Sequence, residues 1–254
     1  MRNFVRIVPA LTALLSFSIL YEIINRPKTF FWLSPSLLIV IVLAIFFLTG
    51  LHFKNKKLWY FFISPFLYVL GSLNFIIFLE MRWLKIGFII VISILLGLYL
   101  ENLYSFNYKP EKYQTYGMQN FSSYFNLIAL FFIYTSLFGY IIFLQISVWI
   151  VLILAGIFSM LATYHTMWIA KINFEQSWLY ILVTTLLIVQ GFWVIAFLPT
   201  SIYVNAILLA SIYYVVVGLT LNQLLGILDK SVIKRYTTVL IIIILITLLS
   251  AKWI

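Results

Sequence analysis

Two side chains in this sequence have the chemistry of an acid–base pair, the carboxylate of Glu101 and the imidazole of His165. Such a pair can exchange protons with a substrate when both groups reach it. If the helices bring them together, they predict an enzyme acting on lipid headgroups at one face of a membrane. The alternative, which we favour, is that they are ordinary polar residues of helix ends. The neighbours that would complete the pocket are Asn102, Tyr164, Lys171, Glu175 and Asp229.

The chain has two histidines, His52 and His165, and no cysteine. Two histidines from different helices can ligate a haem iron, so this pair is the one haem site that the sequence offers. We expect instead that both are polar residues near helix ends, and that the chain uses neither a cofactor nor a metal ion. The missing cysteines exclude disulfides, thiol catalysis and cysteine metal sites.

Neutral amides inside apolar stretches are a third group of candidates, for a ligand site or a permeation path. In a membrane such amides mostly bond across helices and contribute about 0.6 kcal/mol each. Asn126 is one of them, and we assign it only this packing role. The predicted ligand or pathway residues are Asn74, Glu80, Asn102, Gln190 and Asn205, with Glu80 at the outer mouth.

The composition determines which elements must position these residues. Hydrophobic residues make up 65% of the 254 positions and charged residues 9%, whereas soluble domains carry about a quarter charged residues. The net charge of +10 is explained by basic loops on the cytoplasmic side, and we expect no nucleic-acid partner. The sequence predicts an all-α, polytopic transmembrane helical bundle. It would form a single integral membrane domain over residues 1–254, in the plasma or inner cell membrane.

Charge-free stretches predict nine spans, because a charged side chain in the middle of a bilayer is costly. About 20 apolar residues cross the hydrocarbon core, so five of the seven stretches fit one span each. The stretches 113–170 and 176–228 are long enough for two, with turns predicted at Gln145-Ile146-Ser147 and Pro199-Thr200-Ser201. Eight spans is the alternative, if the chain does not turn at Gln145.

Basic residues and tryptophans predict the orientation and the ends of the spans. Eleven of the 16 Lys and Arg residues fall on one side of the nine-span map, and the richer side should be cytoplasmic. The N-terminus is then cytoplasmic. All eight tryptophans lie near predicted span ends, as amphipathic rings do at the headgroup level. We interpret the first apolar stretch as a retained span, because no small-residue cleavage pattern follows Leu20.

Small and proline residues predict helix packing and helix starts. Small faces let helices approach closely in lipid. The Ser-Pro pairs at 34–35 and 64–65 are predicted to start helices, with Ser as the cap and Pro in the first turn; broken transporter helices are the alternative. The predicted packing faces are Ser93-x-x-x-Gly97, Ala155-x-x-x-Ser159-x-x-x-Thr163 and Ala206-x-x-x-Ala210.

Three functions fit this sequence. The one we favour is a non-catalytic membrane protein that acts as an accessory or scaffold subunit or as a lipid-interacting bundle, with membrane lipids and a larger membrane complex as its partners. It accounts for the absence of charge within the predicted spans. The alternatives are a transporter or channel for a neutral or lipidic solute, and the enzyme acting on lipid headgroups.

Overall fold

The structure is a computed structural model that describes residues 2–50, 56–108 and 117–250. The described chain is helical apart from the short connections between its helices. These residues form nine α-helices and a short 3-10 turn at Pro27–Thr29, and they contain no strand. The α-helices are α1 Arg2–Asn25, α2 Phe30–Thr49, α3 Lys56–Phe78, α4 Arg82–Tyr108, α5 Gly117–Leu144, α6 Val148–Ile169, α7 Phe174–Ile195, α8 Ile202–Leu224 and α9 Lys230–Ser250.

The helices confirm the predicted fold class of a transmembrane helical bundle. Eight of them, α1 to α8, have the length and apolar composition of a membrane span. The ninth described helix, α9, has Lys230, Lys234 and Arg235 among its first six residues. The described residues therefore contain nine α-helices, of which eight have the length and composition of a span, against nine spans predicted from the sequence.

Both predicted turns are present. α5 ends at Leu144, Gln145 takes the left-handed conformation with φ 52°, and α6 begins at Val148. The alternative of eight spans assumed that the chain does not turn at Gln145, and the turn contradicts that assumption. The second turn follows α7, and Ser201 caps α8 by accepting a hydrogen bond from the Val204 N–H at 3.4 Å.

The positions of charge and tryptophan agree with a membrane around the helices. No Asp, Glu, Lys or Arg is buried among the residues whose side chains are described. The seven tryptophans in the described part lie within about two helical turns of a helix end, and Trp253 lies outside it. Large apolar side chains such as Trp32 and Leu249 are more than four-fifths exposed. The chain is therefore an integral membrane protein.

Helix packing divides the chain into two compact units, Met1–Phe125 and Asn126–Ile254, with the boundary inside α5. We call them the first and the second unit. Each contains helices of the membrane type, and the single integral membrane domain over residues 1–254 stays a prediction.

In the first unit, α1 packs against α2 and α4, and α3 packs against α2 and α4. α1 and α4 approach each other closely at Gly97, where a Cβ atom would lie 3.0 Å from the Cβ of Ala13. Ser93, one turn earlier, is buried. The predicted small face of α4 is therefore a packing face.

The Ser-Pro pairs do not start helices, so the predicted cap role is wrong. Ser34 is the fifth residue of α2, and its hydroxyl donates to the carbonyl of Phe30 at 2.6 Å. Pro65 is the tenth residue of α3 and has no N–H to donate to the carbonyl of Phe61. The Tyr99 hydroxyl of α4 donates to that carbonyl instead, at 3.3 Å. A proline can remain inside a membrane helix when a neighbour bonds the freed carbonyl in this way.

Three stacked aromatic rings join α3, α4 and the first turns of α5 in the first unit. The Phe125 ring lies between those of Tyr68 and Tyr99, with centroids 4.1 Å and 4.8 Å away. All three residues are buried. The Tyr68 hydroxyl donates to the carbonyl of Ile92 at 3.4 Å, so each tyrosine also joins α3 to α4 through the backbone.

In the second unit, α6 packs against α7, α7 against α8, and α8 against α9. A glycine lies at each of these three helix contacts. A Cβ atom on Gly156 would lie 3.1 Å from Val189, and one on Gly191 would lie 3.3 Å from Leu209. A Cβ atom on Gly218 would overlap the Tyr236 ring. The predicted small faces of α6 and α8 are buried, which confirms their packing role.

Candidate functional site

The interior of the second unit contains a polar triad formed by Asn126 of α5 and by His165 and Thr166 of α6. All three side chains are buried, with at most 1% of their surface exposed. The Asn126 Nδ2 atom lies 3.1 Å from Nδ1 of His165 and 3.2 Å from Oγ1 of Thr166. One amide therefore connects two neighbouring side chains of α6.

The hydrogen-bond pattern assigns the protons of this triad. The Thr166 hydroxyl donates to the carbonyl of Ala162 at 2.9 Å, so its oxygen is left to accept. Asn126 must then present its NH₂ group, because its carbonyl oxygen would face two acceptors, the Ala162 carbonyl and the Thr166 oxygen. One amide proton goes to Thr166 and the other to Nδ1 of His165. The imidazole is thus the tautomer that carries its proton on Nε2.

Two polar atoms of this region have no hydrogen-bond partner. Nε2 of His165 is buried and makes no hydrogen bond. The hydroxyl of Tyr213 on α8 is also buried and makes no hydrogen bond. The Tyr213 hydroxyl faces Thr163 and Thr166 without meeting them in hydrogen-bond geometry. Buried polar groups are nearly always bonded, and an unbonded one costs about 1–3 kcal/mol. Two such atoms beside one triad are an arrangement that a bound polar group would complete.

Hydroxyl groups continue from the triad along one face of α6. Ser159, Thr163 and Thr166 are spaced by four and three residues, and neighbours at these spacings share a helix face. The Tyr134 hydroxyl of α5 lies 2.8 Å from that of Ser159. The column extends over about 10 Å from Ser159 to Thr166 at 1.5 Å rise per residue. Its members are uncharged alcohols, one amide and one imidazole.

Stacked phenylalanines follow the polar column on α5. Phe138, one turn after Tyr134, packs face to face on Phe192 of α7, with centroids 4.2 Å apart and rings 4° from parallel. Beyond α7, the Thr200 hydroxyl bonds the side-chain oxygen of Asn205 at the start of α8. An aromatic contact between α5 and α7 therefore follows the polar column along α5.

The residues predicted for chemistry lie in different surroundings. Glu101 is exposed on α4 in the first unit, whereas His165 is fully buried in the second. Asn102 is half-buried and Glu80 exposed, both in the first unit. The second histidine of the haem alternative, His52, lies outside the described residues.

The predicted amides do not share an interior surface of one unit. The Asn74 amide of the first unit donates to the Leu70 carbonyl of its own helix at 2.7 Å. Gln190 of the second unit is exposed on α7. Asn205 is buried and bonded to Thr200. The pathway built from these residues stays a prediction.

Sequence reasoning missed the participation of Asn126, Thr166 and Tyr213 with His165. A signal was present for part of it, since Thr166 continues the helix face of Ser159 and Thr163, which the sequence predicts as a packing face. Nothing in the sequence indicates that Asn126, 39 positions before His165, meets it. Within the described residues, no group of three His, Cys, Asp or Glu side chains could hold a metal ion.

Comparison with known proteins identifies no relative: no family model, no curated protein and no solved structure matches this chain.

Proposed function

We propose that this chain is a non-catalytic membrane protein that acts as an accessory or scaffold subunit of a larger membrane assembly. The observation that carries this proposal is the placement of polar groups. No charged side chain is buried among the residues whose side chains are described, and most interior hydroxyls are bonded to carbonyls of their own helices. Thr12, Ser72, Ser136 and Ser211 are examples. Such side chains contribute to helices and to packing rather than to a reaction.

The enzyme alternative has less support. A general acid or base must reach its substrate within hydrogen-bond distance. His165 is fully buried, and its Nδ1 atom is occupied by Asn126. Glu101 is exposed in the other unit and has no described acidic or basic partner. An acid–base role for this pair would require His165 to become accessible.

Transport of a neutral or lipidic solute is the second candidate, because one observation favours it. The polar column of the second unit is uncharged and runs from the triad to Tyr134 and Ser159. Neutral groups of this kind can bond an uncharged solute without the cost of a buried charge. The amides predicted for a path from sequence add little support, since Asn74 bonds its own helix and Gln190 is exposed.

Native mass spectrometry of the tagged chain, extracted in a mild detergent from its own membrane, tests the proposal. We expect a complex with one protein partner at a fixed stoichiometry. An unrelated multi-pass protein with the same tag and a similar expression level is the control for adventitious association. A monomer without a protein partner would contradict the accessory role. A monomer that retains a small molecule would favour the transport alternative.

A further inference from the structure

The unpartnered proton on Nε2 of His165 indicates a binding site in the second unit. The other ring nitrogen sets the orientation of the imidazole, because Asn126 donates to Nδ1 at 3.1 Å. The imidazole cannot turn its Nε2 proton toward Asn126 without losing that bond. The proton is buried and has no acceptor, although an N–H group in an apolar interior costs free energy when unbonded. The structure thus presents a fixed donor that lacks its acceptor.

The surroundings restrict the chemistry of that acceptor. An anion would need a buried cation nearby, and no Lys or Arg is buried in the described part of the second unit. A guest that brings its own N–H or O–H protons would need acceptors for them. The Ala162 carbonyl already accepts from Thr166, and the Thr166 oxygen accepts from Asn126. An uncharged carbonyl oxygen, which only accepts, fits these conditions.

The Tyr213 hydroxyl supplies a second unpartnered donor at the same cluster. It is buried, and it faces the threonine that Asn126 bonds. A carbonyl oxygen has two lone pairs and can accept two hydrogen bonds. A carbonyl oxygen that accepts from Nε2 therefore keeps one lone pair for a second donor such as this hydroxyl.

The depth of His165 suits a guest that arrives from the lipid. His165 lies four residues before the end of α6, about 6 Å along the helix axis. The 22 residues of α6 span about 33 Å, close to the thickness of the hydrocarbon core. The half-buried ring of Trp168 lies 6.2 Å from the imidazole. The imidazole therefore lies near the end of α6, beside a side chain that is partly exposed.

We propose that Asn126, His165, Thr166 and Tyr213 form a binding site for an uncharged carbonyl oxygen of a molecule dissolved in the membrane. Asn126 and Thr166 orient the imidazole, and Nε2 of His165 and the Tyr213 hydroxyl donate to the guest. Two sources supply this chemistry, the ester carbonyl of a phospholipid and a free lipophilic ketone or quinone. The proposal goes beyond the accessory role and is tested separately, since that role concerns a protein partner.

Nitrogen NMR of ¹⁵N-histidine in lipid nanodiscs tests the site. The chain has two histidines, and a His52→Gln variant identifies the signal of His165. Spectra are compared in phosphocholine nanodiscs made with diester and with diether lipids, and a decyl-substituted benzoquinone is titrated into the diether sample. We expect Nε2 to carry the proton and Nδ1 to carry none. We also expect the Nε2 signal to change either between the two lipids or with added quinone. A difference between ester and ether lipids identifies the phospholipid, and a saturable shift with the quinone identifies a free carbonyl.

An Nε2 signal that is identical in all three samples would overturn the proposal, as would a proton on Nδ1. In the arm that responds, Tyr213→Phe should reduce the response, about tenfold in the midpoint of a quinone titration. Tyr68→Phe, which removes a buried hydroxyl from the first unit, is the matched control and should leave the response unchanged. An unchanged response in Tyr213→Phe would refute the two-donor site.

Discussion

The two units of this protein join their helices with different side chains. In the first unit, the Phe125 ring lies between those of Tyr68 and Tyr99, and both tyrosine hydroxyls bond backbone carbonyls. In the second, Asn126 bonds two side chains of α6 at once. Helices in lipid are not drawn together by a hydrophobic effect, so packing and hydrogen bonds must hold them.

The difference lies in which groups the hydrogen bonds join. The first unit uses hydroxyls to bond backbone groups, including the Phe61 carbonyl that Pro65 leaves free. The second unit uses side chains to orient other side chains. Buried polar atoms without a described partner occur in both units, at Ser16, Ser93 and Ser122 in the first and at His165 and Tyr213 in the second. Buried networks with unused members are costly. We infer that the first arrangement compensates backbone groups and that the second sets the orientation of the His165 imidazole.

The largest expected effect is that of Phe138→Ala, which removes the ring that stacks on Phe192. Truncating a buried phenylalanine costs about 3–5 kcal/mol, because the lost contacts leave a cavity. The free energy of unfolding would be measured by equilibrium denaturation with SDS in mixed micelles. Phe31→Ala, at a side chain that is 82% exposed, is the control and should cost far less. Equal losses in the two variants would show that the stack does not stabilise the second unit.

Asn126→Leu should have the next largest effect. It removes both donors from the triad and leaves Nδ1 of His165 and the Thr166 oxygen without a donor, at a cost of about 2 kcal/mol. The control is Asn107→Leu on α4, whose exposed amide bonds only its own helix among the bonds described. The same unfolding measurement applies. If both variants lose the same free energy, the amide network is not what distinguishes the second unit.

Tyr99→Phe should destabilise the first unit by about 1 kcal/mol, because the Phe61 carbonyl loses its donor. In a Pro65→Ala background the restored N–H can bond that carbonyl, so the same change should cost much less. A double-mutant cycle measures this coupling. Additive effects of the two substitutions would refute the compensation between Tyr99 and Pro65.

The smallest expected effects on stability are those of two tyrosine substitutions in the second unit. Tyr134→Phe removes a hydrogen bond to Ser159 and should cost about 0.6 kcal/mol. Tyr213→Phe removes a hydroxyl that has no partner, so the protein without ligand should keep its stability or gain slightly. Thermal unfolding of the two variants side by side checks the order. A larger loss for Tyr213→Phe would mean that its hydroxyl is already bonded.

The sequence by itself determined the helices and the turns between them. Charge and hydropathy are local properties, and a charge inside the bilayer is costly wherever it occurs along the chain. The turns at Gln145 and before Ser201 therefore followed from the sequence. The small faces of α4, α6 and α8 followed for a similar reason, since close approach in lipid needs small side chains.

Only the tertiary structure decided which polar residues meet. Whether Asn126 faces His165 depends on the rotation and depth of two helices, and those are set by packing along their whole lengths. The same holds for Pro65, because the pattern Ser-Pro is typical of a helix start. A proline in mid-helix leaves one carbonyl without its usual donor, and here Tyr99, 38 positions after Phe61, donates to the Phe61 carbonyl. Such pairings join distant parts of the chain, and local sequence patterns carry no record of them.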